Sequence, residues 1–177
     1  DRPDVIGEPF YIQNELNFLV KRANSYGMPV AIHAIGDRGV QMALNAFEYS
    51  NHLDLANRVE HVEVIQPGTV ERFRELKVTA SMQPNHGTGV TGKYITPRIG
   101  EEREQFAYVW NDFLKGGVRL ALSSDFATSP FSPLVQLFDA VFRESPSGLY
   151  DGAWYPEQRI SFDEALYAYT QIGADLS

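Results

Sequence analysis

Cysteine is absent from the 177 residues, which removes disulfides, thiolate metal sites and a cysteine nucleophile in one step. The absence suits either redox environment, and the expected location is cytoplasmic. Basic residues are in the minority, 15 Lys and Arg against 23 Asp and Glu for a net charge of −8, and they form no run. Nucleic-acid affinity rests mostly on cations meeting phosphates, so no nucleic-acid partner is expected. Long apolar runs are missing too: none approaches the ~20 residues that span a bilayer, and Asp1-Arg2-Pro3-Asp4 opens no leader-like pattern, so no membrane partner is expected. The chain lacks an initiator Met and stops in the polar stretch Gly173-Ala174-Asp175-Leu176-Ser177, which suggests a piece of something longer. What is present, 44% hydrophobic and 12% aromatic residues, is enough for the core of one domain.

Ile12, Leu16, Leu19, Val20, Ala23 and Tyr26 fall at helical intervals and Gly27-Met28-Pro29 stops them, which predicts a helix over about 11–26. Val30-Ala31-Ile32 suits a parallel strand buried on both faces, with His33 at its C-terminal end. Asp37 is the expected N-cap of a helix through Val40, Leu44 and Phe47 that ends near Asn51. The cycle repeats with Arg58-Val59-Glu60-His61 as a strand and Pro67-Gly68-Thr69 opening a helix through Val70, Phe73 and Leu76. Residues 78–82 make a third strand ending at Gln83-Pro84, and 85–100 reads as a long loop rich in Gly and Thr. Phe106, Val109, Trp110, Phe113 and Leu114 predict the clearest helix, closed by Gly116-Gly117. Residues 118–122 are the fourth strand, followed by Ser123-Ser124-Asp125. Ser132-Pro133 opens a helix with Leu134, Leu137, Phe138, Val141 and Phe142 on one face. An irregular excursion over 144–159 leads to a last helix with Ser161 and Glu164 as capping box and Leu166 and Tyr169 among its core positions. Four strand-then-helix units without a hairpin signal predict a parallel α/β architecture.

Parallel α/β chains carry function at the C-terminal ends of their strands. Here those ends hold His33, His61, Gln83 and Asp125. Two imidazoles and a carboxylate are a donor set that a catalytic divalent ion takes, with a position left open for water. Such an ion lowers the pKa of water from about 15.7 to about 7 and polarises a carbonyl, and an aspartate beside it accepts the proton. Period-2 alternation puts Ala121, Ser123 and Asp125 on one face, and pairs Val59 with His61 in the same way. The plain alternative is that each histidine is a hydrogen-bonded core or loop residue, as a single His at a strand end commonly is. His52, at a helix end among Asn51, Asp54 and Asn57, is expected to be structural.

The stretches Ala31-Ile32-His33-Ala34-Ile35-Gly36-Asp37-Arg38, Arg58-Val59-Glu60-His61, Ala80-Ser81-Met82-Gln83-Pro84-Asn85-His86 and Leu122-Ser123-Ser124-Asp125-Phe126 resemble successive motifs of the amidohydrolase superfamily. The resemblance is closest to its YtcJ-like branch, which includes N-substituted formamide deformylases. It implies a TIM-like (β/α)8 barrel whose strands five to eight end in these motifs, so that residues 1–177 are a partial metal-dependent hydrolase barrel domain, truncated at both ends. It also implies His33, His61 and Asp125 as metal ligands, Asp125 as general base, and His86 as a group that meets the substrate or its leaving group. The implied cofactor is a divalent metal, zinc first, with one or two ions in the parent. The family's His-x-His pair on its first strand and its ligand from strand four, often a carboxylated Lys, do not occur in this sequence. The implied reaction is cleavage of the C–N bond of a small amide or formamide by metal-activated water. A chain holding ligands from one side only is expected to be metal-poor and inactive by itself, and its open barrel edges invite self-association. The alternative is a catalytically silent interaction or regulatory module on the same half-barrel scaffold.

Other polar residues have readings of their own. Arg58 and Glu60 alternate with Val59 and His61, which sends them to the helix-facing side as a structural pair. Asp37 lies close enough to His33 to order it as well as to cap its helix. Gln83 either hydrogen-bonds the substrate or fixes its loop, and Met82 reads as core. The 85–100 loop, with Tyr94 and Arg98, is either a mobile cover or an unstructured excursion. Tyr150, Trp154 and Tyr155 either pack the later excursion or wall an apolar pocket.

Overall fold

Four short strands, β1 (Ala31–Ala34), β2 (Arg58–His61), β3 (Thr79–Met82) and β4 (Leu120–Leu122), pair in parallel in the order β1-β2-β3-β4. The computed structural model describes residues 7–89, 95–144 and 152–176. Helices follow the strands: α1 (Gln13–Ser25) precedes the sheet, α2 (Asp37–Ser50) joins β1 to β2, and α3 (Thr69–Glu75) joins β2 to β3. After β3 come α4 (Pro84–Thr88), α5 (Ile95–Ile99), α6 (Glu101–Glu104) and α7 (Trp110–Lys115), and after β4 come α8 (Pro133–Phe142) and α9 (Phe162–Asp175). Strand order equal to chain order is what serial right-handed strand-helix units produce. No described helix is long and apolar enough to cross a membrane.

Register assigns the two faces of the sheet. Ile32, Val59, Ala80 and Leu120 form one cross-strand row, and His33, Glu60, Ser81 and Ala121 form the next. Residues paired in register point the same way, so the first row meets the core built by Leu44, Phe47, Phe73 and Phe113. The Phe73 and Phe113 rings meet edge to face at 5.1 Å. Arg58 and Glu60 therefore lie on the face of His33, opposite the one predicted for them. They do pair with each other, Arg58 Nε to Glu60 Oε1 at 2.6 Å, and Arg58 also donates to the Leu176 carbonyl at 3.4 Å. The misassignment has a local cause: His61 has φ +78°, which breaks the alternation, so its position says nothing about the side on which Glu60 stands.

Several other expectations change. β1 is not buried on both faces: Ala31 and His33, on one face, are exposed. Gly36 occupies the N-cap of α2, and Asp37 is the first helical residue. The expected loop after Gln83 starts instead with a helical turn, since Pro84 supplies a preset first position; residues 90–94, Tyr94 among them, lie outside the described structure, and Arg98 lies in α5. The helix predicted from Phe106 begins only at Trp110. Ala107 bridges Val64 in antiparallel fashion, and the Tyr108 N–H donates to the Glu63 carbonyl at 2.8 Å, so tertiary pairing claims the backbone that helical periodicity favoured. In α8, Leu137 is buried, whereas Leu134, Phe138 and Phe142 are exposed, and the inward positions belong to Gln136, Asp139 and Ala140. The last helix has its expected capping box, with Ser161 Oγ accepting the Glu164 N–H at 3.2 Å, but Leu166 is exposed while Ala165, Ala168 and Ile172 are buried. Trp154 packs edge-on against Tyr108 and Tyr155 at 5.9 and 5.5 Å, and Tyr150 lies outside the described residues.

Candidate metal centre

All four strand ends on the C-terminal side converge. His33 comes from β1, His61 is the last residue of β2, His86 sits in α4 directly after β3, and Asp125 follows β4. The His33 and His61 rings meet edge to face at 4.3 Å, and His86 stacks on the other side of His61 at 5.8 Å with an 8° interplanar angle. His86 Nε2 lies 3.8 Å from Asp125 Oδ2. One donor atom each from His61, His86 and Asp125 falls within 4.8 Å of the others, while His33 flanks this set through its contact with His61.

Local backbone geometry brings the groups in. His61, Val62 and Asp125 all have left-handed φ, at +78°, +51° and +52°. Non-glycine residues in that region cost about 1–3 kcal/mol each and collect at functional sites. The turn after β2 is pinned to the end of β1, since the Val62 N–H donates to the Ala34 carbonyl and the Glu63 and Val64 N–H groups donate to the Ile35 carbonyl, all at 3.1 Å. α4 packs so closely on the Tyr108 ring that a Cβ at Gly87 would stand 3.0 Å from it, which explains glycine next to His86.

Glu63 is a site residue that sequence reasoning missed. Buried, it places Oε1 3.2 Å from His86 Nδ1. An acidic residue two positions beyond a strand-end histidine was the available signal. A carboxylate on Nδ1–H fixes the tautomer and presents Nε2 as an acceptor, the arrangement that orients metal-binding imidazoles. His86 Nε2 and His61 Nδ1 are buried and make no hydrogen bond. Burial holds the His61 pKa below the ordinary histidine value, and the neighbouring His33 lowers it further against the opposing charges of Asp125 and Glu63. His61 is thereby kept neutral, the state in which imidazole binds a metal.

The donor set fits a divalent ion. Two buried imidazole nitrogens without partners and a carboxylate are the chemistry such an ion satisfies.

The remaining predicted residues have other contacts. Gln83, buried, donates from Nε2 to Ser123 Oγ at 2.9 Å and so joins the ends of β3 and β4. Asp37 accepts from the Arg38 N–H, from Gln66 Nε2 at 3.3 Å and from Arg103 at 3.0 Å, none of them a ring of the cluster. Met82 is fully buried core. His52 Nδ1 lies 2.7 Å from the Ser50 carbonyl and 3.1 Å from its hydroxyl, remote from the other histidines.

The family model described as "Amidohydrolase family" matches residues 5–177. The chain is 27% identical to YtcJ of Bacillus subtilis (strain 168), named as a candidate amidohydrolase, over 99% of this chain and 33% of the relative. It is 29% identical to the N-substituted formamide deformylase of Arthrobacter pascens, over 93% of this chain and 30% of the relative. Among solved structures, an uncharacterized metal-dependent hydrolase from Pyrococcus furiosus superposes with a TM-score of 0.83 at 35% identity, over 98% of this chain and 34% of that one. The chain thus spans about a third of the length of the relatives it matches.

Proposed function

Because the chain belongs to the amidohydrolase family, in its YtcJ-like branch, we propose that it carries part of the active site of a metal-dependent hydrolase that cleaves the C–N bond of a small amide or formamide. The observation that carries this reading is the meeting of His61, His86 and Asp125 from three separate strand ends, with buried imidazole nitrogens left without hydrogen bonds.

His61 and Asp125 would hold the divalent cation, for which zinc suits the imidazole and carboxylate donors best, and His33 beside His61 would be the third ligand. When bound, the cation supplies Lewis acidity toward a carbonyl and a water acidified to a pKa of about 7. Asp125, partly exposed, accepts the proton of the attacking water and returns it to the leaving nitrogen. His86, with Nδ1–H held by Glu63, offers Nε2 as an acceptor to a substrate N–H; steadying a tetrahedral oxygen instead requires a proton on Nε2. Gln83 is assigned to fixing the β3 and β4 ends, its hydrogen bond to Ser123 supporting that choice.

The same reading makes β1 to β4 the fifth to eighth strands of a (β/α)8 barrel and residues 1–177 a partial barrel domain, and the cytoplasm is its proposed location. The parallel order of the four strands and the one-third coverage of the relatives support the barrel part of the reading. The chain by itself is then metal-poor and inactive and associates through its open barrel edges.

Elemental analysis of the purified 177-residue chain and of its His33→Ala, His86→Ala and Asp125→Ala variants, with mass in solution, tests the assignment. Metal lost with His33 and Asp125 but kept without His86 supports the ligand set above. Metal lost with His86 and kept without His33 moves the third ligand to His86. A chain that retains no Zn²⁺ in any form is the metal-poor half-barrel expected above, whereas a parent sequence without a His-x-His pair upstream favours the catalytically silent module.

A further inference from the structure

The helix α8 turns polar residues inward. Gln136 and Asp139 have no exposed surface, whereas Leu134 and Phe138 lie outside. Burying an amide without partners costs about 1–3 kcal/mol and a charged carboxylate more, so a helix that inverts its apolar pattern in this way has polar groups in use. Gln136 uses both ends of its amide. Its Oε1 accepts the Asn85 N–H at 3.1 Å, a donor that the first turn of α4 leaves unpaired. Its Nε2 donates to Ser129 Oγ at 3.0 Å, and the Ser129 hydroxyl donates to the Ser124 carbonyl. Asn85 directly precedes His86, and Ser124 directly precedes Asp125. One turn further along the helix, Asp139 Oδ2 accepts from Asn85 Nδ2 at 2.7 Å.

We infer that Gln136 is a positioning residue that sets His86 and Asp125 against each other from behind. The last ladder bond between β3 and β4 is the Ser123 N–H to the Met82 carbonyl at 3.0 Å, so the sheet itself holds neither site residue. His86 rides on a helix of five residues and Asp125 on a left-handed turn. The Gln136 amide joins both to the ten-residue α8, and through them fixes the 3.8 Å approach of His86 Nε2 to Asp125 Oδ2. The consequence for metal affinity rests on the functional reading above; the geometric claim does not.

The test reads the histidine rings of the whole, metal-free 177-residue chain at fixed pH by 1H–13C correlation NMR, comparing wild type with Gln136→Met, which keeps length and volume and loses both hydrogen bonds. The four histidines give four ring signals. The signals of His86 and of His61, which stack on each other, are expected to move, while His52, bonded to Ser50, stays. In a Co²⁺ titration the apparent Kd should rise about tenfold, and Ser129→Ala combined with Gln136→Met should do no more than Gln136→Met alone. A folded Gln136→Met chain whose His86 and His61 signals are unchanged, or in which all four signals move together, overturns the inference. Should Gln136→Met not fold, Ser129→Ala, which deletes one hydroxyl, is held to the same outcomes. Failure of the wild type to bind Co²⁺ is the metal-poor outcome expected of the chain alone, and the inference then stands or falls on the ring signals, which are read without metal.

Discussion

At the scale of residues, the site is a set of charges and lone pairs kept in chosen states by their neighbours. His61 is lowered by burial first and by His33 second. His33→Ala is therefore expected to raise the His61 pKa, measured by NMR titration of the metal-free chain; an unchanged or lower value contradicts this account. Asp139 shows the opposite effect, because burial pushes its carboxyl up to about 6 against the hydrogen bond from Asn85 that favours the charged form. A carboxyl whose folded pKa is raised contributes stability that is complete below its unfolded pKa near 4 and is lost as pH rises through about 6. Compared with Asp139→Asn, the wild type should lose about 2 kcal/mol of unfolding free energy between pH 4 and pH 7, read by urea denaturation across that range. Parallel pH profiles for the two proteins would show that Asp139 does not titrate there. His33, His61 and Asp125 were recognisable in the sequence because residue type and strand-end position coincide. Glu63 and Gln136 were not, since what marks them is contact with a residue 23 or 51 positions away.

At the scale of elements, helices with strong local signals formed as read, and those contested by tertiary partners did not. The last helix has its capping box, so Ser161→Ala should cost about 1 kcal/mol in thermal or urea unfolding. The α8 helix divides its side chains differently from its apolar pattern. Leu137→Ala should cost about 2–5 kcal/mol because Leu137 is buried, whereas Phe138→Ala should change stability by under about 1 kcal/mol because Phe138 is partly exposed. Equal losses would mean that the Phe138 face is covered in solution. The helix predicted from Phe106 is shortened because the Val64–Ala107 bridge and the Glu63–Tyr108 bond use its first turn to close a neighbouring strand end. Periodicity reports which residues are apolar, not which backbone groups another segment will claim.

At the scale of the whole molecule, a four-stranded parallel sheet has β1 as an edge with exposed Ala31 and His33 among the described residues, and apolar surface is exposed at and just before α1 and on α8, including Phe10, Ile12, Phe18, Leu134 and Phe142. Sedimentation velocity over a concentration series should show reversible association, and Ala31→Lys, which places a charge on the exposed β1 edge, should reduce it. A monomer at every concentration would mean that the edges are protected. The amino-acid sequence by itself determined the four strand-helix units, their parallel order and the imidazole and carboxylate residues at their ends, because hydrophobic period, turn chemistry and residue type are local properties. Only the tertiary structure decided which face each side chain takes at the left-handed His61, where α7 begins, and that Glu63 and a buried face of α8 stand behind His86. Those outcomes depend on which distant backbone and polar groups meet, and no local pattern carries that information.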